Sequence, residues 1–104
     1  MKNQIKFIKL TSDSCEKICI TLDSLTEFKP EDYVGDFIGH KQFKGSIYVV
    51  YDQLLQGDYN YALEQLDSCF TEYYGTCILI KYDCATGTYD SLSEKDIKDI
   101  LVIR

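Results

Sequence analysis

Residues 46–83, SIYVVYDQLLQGDYNYALEQLDSCFTEYYGTCILIKYD, decide how this chain folds. The stretch opens on Ser46–Tyr51, a β-branched and aromatic run that is apolar on both faces, as a central strand should be. It closes on residues 76–83, a second strong strand. Between them Asp58 is placed to cap a helix from about Tyr59 to Tyr74, and Gly75 stands where a left-handed C-cap belongs. At about 100° per residue, Tyr59, Ala62, Leu63, Leu66, Cys69, Phe70 and Tyr73 share one side of that helix. Tyr61, Glu64, Ser68, Thr71 and Glu72 share the opposite side, with Asp67 at the margin. A strand–helix–strand unit crosses over right-handed and leaves its two strands parallel. The expectation is therefore a parallel pair with this main amphipathic helix on one face of the sheet.

The remaining elements are arranged around that unit. Residues 3–10 and 16–23 form two strand-like runs joined by the polar turn Thr11-Ser12-Asp13-Ser14. In the second run Ile18, Ile20 and Leu22 alternate with Cys19 and Thr21, giving one apolar face. Pro30-Glu31-Asp32 starts a short helix, with Tyr33, Val34, Phe37 and Ile38 as its apolar side and Gly39 as its stop. After residue 83, Cys84-Ala85-Thr86-Gly87 turns the chain into a short strand near Thr88–Ser91. Ser93 and Asp96 have the spacing of a capping box, with Leu92 and Ile97 placed for a hydrophobic staple. Residues 100–104 fit a closing strand. The predicted order is β-β-α-β-α-β-β-α-β, an α+β fold with a mixed sheet, in a single domain covering residues 1–104, which is one domain's worth of chain.

Hydrophobic residues make up 45% and charged residues 27%, with one Pro and six Gly, which excludes disordered and low-complexity classes. No apolar run approaches the roughly 18 residues needed to cross a bilayer. The start, MKNQIKFIKL, scatters three lysines among its apolar residues and leaves no uninterrupted signal-peptide core. A cytoplasmic protein without a membrane partner is expected.

The net charge of −6 is unevenly placed. Residues 1–50 hold seven acids and seven lysines, whereas residues 51–104 hold ten acids and four bases. Between Lys44 and Lys81 there is no Lys, Arg or His. The same stretch holds Asp52, Asp58, Glu64, Asp67 and Glu72, with six of the nine tyrosines. Such a field repels phosphate backbones and anionic membranes and draws in basic partners, so direct nucleic-acid binding is disfavoured.

Motifs for catalysis are absent from the sequence. Gly57 stands alone beside Asp58, so no glycine-rich loop is available to cradle phosphate. His40, in Gly-His-Lys-Gln-Phe, reads as a surface-loop histidine without a nucleophile signature. The pairs Glu31/Asp32, Glu64/Asp67 and Asp96/Asp99 fall where helix caps and solvated faces put acids. Cys15, Cys19, Cys69, Cys77 and Cys84 include no C-x-x-C pair and read as reduced thiols acting as small hydrophobes. No catalytic residue, metal or cofactor is expected.

The tyrosine-rich acidic block carries the functional reading. Tyr48, Tyr51, Tyr59 and Tyr73 are accounted for as core residues, but Tyr61 lies on the polar side among Glu64, Ser68 and Glu72. Tyrosine with carboxylate offers rigid aromatic area plus acceptors for Arg and Lys. Asp58, Tyr61, Glu64, Asp67 and Glu72 are the candidate partner-binding residues. The profile resembles that of small acidic proteins of phages and mobile elements that block nucleic-acid enzymes, of the anti-CRISPR and anti-restriction kind. The likeness is one of type and carries no residue over. The leading expectation is a non-enzymatic inhibitor or regulator that occupies a basic surface of a nucleic-acid-processing protein, in effect mimicking nucleic acid. An adaptor or assembly subunit without mimicry is the alternative, and a small enzyme the third.

Overall fold

A computed structural model of the chain describes residues 3–102, apart from the side chains of Leu25 and Val102. Its strands are β1 (Asn3–Leu10), β2 (Cys15–Leu22), β3 (Ile38–Lys44), β4 (Ile47–Asp52), β5 (Cys77–Asp83) and β6 (Thr88–Asp90). Its helices are α1 (Glu31–Val34), α2 (Tyr61–Leu66) and α3 (Glu94–Val102), with one 3-10 turn at Leu25–Glu27. The strands form one sheet in the order β2-β1-β5-β4-β3. β5 carries four consecutive buried residues, Cys77–Ile80, because it is covered on both faces and paired along both edges. Its first half pairs with β1 and its second half with β6, both on the edge opposite β4.

Alternation along the strands builds two cores. Ile8, Leu10, Ile47, Val49, Cys77 and Leu79 face Ala62, Leu63 and Leu66 of α2, Phe70, and Leu92, Ile97 and Ile100 around α3. Ile5, Phe7, Val50, Ile78 and Ile80 face the other way, onto Phe28, Tyr33 and Val34 from the segment between β2 and β3. The sheet is thus the middle of three layers. A Cα radius of gyration of 12.9 Å matches the roughly 13 Å of one compact domain of this length. The α+β class and the single domain agree with the sequence.

Four sequence expectations are corrected. The sheet is antiparallel at every pairing rather than mixed, and β4 and β5 form no parallel crossover. The reason is length: α2 has six residues and spans about 9 Å, too short to return the chain along a strand of about 20 Å. Residues 53–76 instead make an excursion that leaves and re-enters the sheet at one end, with Val50 opposite Ile78.

The helix expected over 59–74 is the second correction. It begins after Asn60, whose side chain accepts the Leu63 N–H at 2.9 Å, so Asn60 and not Asp58 is the cap. It ends at Leu66 because Asp67 is extended and its Oδ1 accepts the Cys69 N–H at 2.9 Å, a local bond that competes with the helix. Third, the helix begun at Pro30 stops at Val34, where Gly35 takes φ 139°, and residues 38–44 form edge strand β3 instead of its second turn. Fourth, Ile100–Val102 continue α3 rather than closing the sheet; the rest of the expected strand, residues 103–104, lies outside the described residues. The observed order is β-β-α-β-β-α-β-β-α. The capping box is present: Asp96 N–H donates to Ser93 Oγ at 3.0 Å and Ser93 N–H to Asp96 Oδ2 at 3.1 Å.

Candidate partner-binding surface

The excursion 53–76 is closed at its neck by backbone. Gly75 N–H donates to Asp58 O at 2.8 Å and Asn60 N–H to Tyr73 O at 2.8 Å, while Tyr59 bridges Tyr74. The two arms touch so closely that a Cβ on Gly75, which has φ 80°, would lie 2.5 Å from Gln56 O. Asn60, only 1% exposed, ties the neck to the sheet: its amide donates to Leu10 O at 3.1 Å and Gly75 O at 2.8 Å. Leu63 and Leu66 then bury one side of α2 and leave the other outside.

On that outer side the rings assemble around Tyr59. Its centroid is 4.7 Å from Tyr61 and 5.4 Å from Tyr74, both edge-to-face. The Tyr59 hydroxyl donates to Glu64 Oε1 at 2.6 Å, and this bond, with partial burial, raises the Tyr59 phenol above its ordinary value. Tyr61 is 56% exposed and stands three residues before Glu64, on the same helical face. The structure therefore brings Tyr61 and Glu64 together through Tyr59. Glu64 is half-buried rather than fully solvated. Asp58 is exposed at the neck, Asp67 is half-buried at the end of α2, and Glu72 is exposed with φ 68°. The two non-glycine residues with positive φ among the described residues, Leu55 and Glu72, both lie in this excursion. Such strain costs of order 1–3 kcal/mol at each residue and clusters at functional sites.

The charge pattern sets this region apart. Lys6 and Lys17 meet Glu94 at 2.6 and 3.1 Å, Lys81 meets Asp96 at 3.5 Å, and Lys95 meets Asp99 at 3.2 Å. Among the described residues, none of Asp52, Asp58, Glu64, Asp67 and Glu72 is in an ion pair. A face of rings and unpaired carboxylates can hold guanidinium or ammonium groups by hydrogen bonds and by cation–π contact.

Three placements depart from the sequence reading. Tyr48 and Tyr59, expected in the core with Tyr51 and Tyr73, are half-buried and belong to neither core. His40 is in β3, not in a surface loop. It is half-buried, stacked on Tyr82 at 4.0 Å, and shares a 2.6 Å hydrogen bond between its Nε2 and the Tyr89 hydroxyl. Burial lowers its pKa from 6.5, partly offset by Glu31. Only Cys77 serves as a buried hydrophobe, with its thiol pushed up to about 12 by burial, whereas Cys19, Cys69 and Cys84 are exposed. Among the described residues no three of His, Cys, Asp and Glu gather as a metal-binding group. No helix of the described residues is long and apolar enough to cross a membrane. Comparison of the chain with protein-family models, with curated proteins and with solved structures found no match.

Proposed function

We propose that this chain is a non-enzymatic binding protein for a basic protein surface, most concretely the nucleic-acid groove of a nucleic-acid-processing enzyme in the cytoplasm, which it inhibits or regulates. One observation carries the reading: the ring group Tyr59–Tyr61–Tyr74 with Glu64 lies on a segment whose acids, among the described residues, are in no ion pair, while Lys6, Lys17 and Lys81 are held by α3. An acidic, aromatic surface of this kind attracts a basic groove at long range and anchors in it at short range. The adaptor alternative has its own observation, the exposed apolar side chains Phe37, Leu54 and Leu55.

The test is capture of a partner from the native host with the wild-type chain as bait, then affinity measurement with the purified partner. Asp58→Lys with Glu72→Lys should abolish retention of a basic partner, and binding should weaken as salt rises over the range where the screening length falls below about 10 Å. Glu64 is left alone because its carboxylate holds Tyr59. Glu16→Lys on exposed β2 gives a charge reversal elsewhere and should change little. Equal affinity of the double variant and the wild type, at all salt concentrations, would overturn the acidic-surface reading.

A further inference from the structure

Beside the tyrosine surface, the excursion borders a second feature, to which the exposed Phe37 and Leu54 belong. A groove of about 470 Å³ runs between the end of α1 and the start of the excursion, with Val34, Asp36 and Phe37 on one side and Asp52, Leu54 and Gly57 on the other. Phe37 is 62% and Leu54 53% exposed, so the groove has apolar walls facing water. Phe37 is fixed there because its carbonyl accepts the Gln53 N–H at 2.8 Å, extending the β3–β4 ladder past its last named pair. Asp52 is 8% exposed. Its Oδ1 accepts the Leu54 N–H at 2.9 Å, and its Oδ2 accepts no hydrogen bond among the described residues. Among the described residues no fully buried side-chain oxygen lacks a partner, so Oδ2 keeps some exposure, and it lies 3.9 Å from where a Cβ of Gly35 would stand, another residue of the groove's lining. No Lys, Arg or His lines this groove, and Asp36 adds a second carboxylate.

We infer that this groove docks a basic–apolar segment of the protein partner: one Lys or Arg directed at Asp52, with adjoining apolar side chains laid on Phe37 and Leu54. Charge complementarity selects that occupant. With one backbone donor on Oδ1, the Asp52 carboxylate leaves Oδ2 to water alone, and a guanidinium or ammonium brings the charge-assisted bonds that Oδ2 lacks. The apolar walls then discriminate such a segment from free cations, because they reward side chains that leave water. The inference rests on the proposed function only in taking the partner to be basic; the place is different. The chain leaves the groove at Gly57 and enters the tyrosine surface at Asp58, so one partner can span both.

The test uses the full chain, isotope-labelled, titrated with acetylated and amidated pentapeptides and followed by amide NMR. Ala-Leu-Arg-Leu-Ala and its Lys counterpart should shift the amides of Gly35, Asp36, Leu54 and Gly57 to saturation. The Gln and Glu counterparts should bind at least roughly tenfold more weakly, as loss of a hydrogen bond to a charged group implies. Asp52→Asn keeps an acceptor for Leu54 N–H and removes the charge; it should erase the preference for Arg over Gln. Phe37→Ser, at an exposed site, should weaken all four peptides while preserving that order. Equal binding of the Arg and Gln peptides would overturn the inference in favour of a purely apolar surface. Shifts that grow with protein concentration without peptide would overturn it in favour of a second copy. Shifts confined to Tyr61 and Glu64 would overturn it while leaving the proposed function standing. Asp58→Lys with Glu72→Lys should leave the peptide titration in place, so failure of that reading is separately visible.

Discussion

The sheet with α3 and the excursion 53–76 treat charge and backbone in opposite ways. In the first, every lysine that reaches α3 finds a carboxylate: Glu94 takes Lys6 and Lys17, and Asp96 takes Lys81. Its turns use residues suited to them, such as Gly87 at φ 71° between β5 and β6. In the excursion the acids are in no ion pair among the described residues, and Leu55 and Glu72 hold left-handed conformations that glycine would adopt freely. The excursion is held by its buried side, through Leu63, Leu66 and Asn60, and its outer side is left unoptimised for stability. The proposed function uses that division, with the excursion as a binding segment mounted on a rigid frame.

The comparison breaks first at the anchor. Leu66 is buried among the residues that join α2 to the sheet, so Leu66→Ala should remove about 2–5 kcal/mol of stability by denaturant unfolding. A loss below about 1 kcal/mol would mean the excursion is not packed on the frame. Asn60→Ala should cost about 3 kcal/mol, since it removes a helix cap and leaves Leu10 O and Gly75 O without their donor. Amide exchange sharpens that result: protection should fall in 58–75 more than in β1 or β5. Uniform loss of protection would show one cooperative unit, and the contrast between regions would fail.

Glu72→Gly has a smaller and opposite effect. Relief of the left-handed conformation should stabilise the fold by about 1 kcal/mol, within the range for such positions. If Glu72 belongs to the binding surface, the same change weakens partner binding. Higher stability together with unchanged binding would remove Glu72 from that surface.

These contrasts also show what the sequence made legible. β1, β2, β4 and β5 could be placed because burial imposes alternation or continuous apolarity on them. β3 was hidden: as an edge strand with exposed Lys41, Gln42 and Lys44 it carries no two-faced apolar run, and Ile38 fitted a helical spacing equally well. The length of α2 was overestimated because apolar spacing continues through Phe70 and Tyr73, although Asp67 has already turned the chain by bonding to Cys69 N–H. For the candidate site, spacing alone paired Tyr61 with Glu64. It could not show Tyr59 between them, nor the groove of Phe37 and Asp52, which meet only through the β3–β4 pairing. Asn60 was equally hidden, since its partners at Leu10 and Gly75 are distant in sequence.

The smallest expected effect is a pH response that belongs to the frame alone. His40 is held below 6.5 by burial against Tyr82 and Tyr89, with Glu31 opposing. The folded chain therefore binds this proton less readily than the unfolded chain. The stability contributed by neutral His40 is complete above about 6.5, falls as pH drops from there through the folded value, and is then constant. Glu94 works in a lower window. Its bonds to Lys6 and Lys17 hold it below 4.5, so its contribution is present above 4.5 and is lost as pH falls through its folded value. Unfolding measured across pH should show a decline that begins near 6.5 and a further one that begins near 4.5, and His40→Gln should remove the former and leave the latter. NMR titration of the His40 ring checks the cause directly. A midpoint at or above 6.5, or an upper decline that survives in His40→Gln, would show that burial of this ring does not set the frame's pH response.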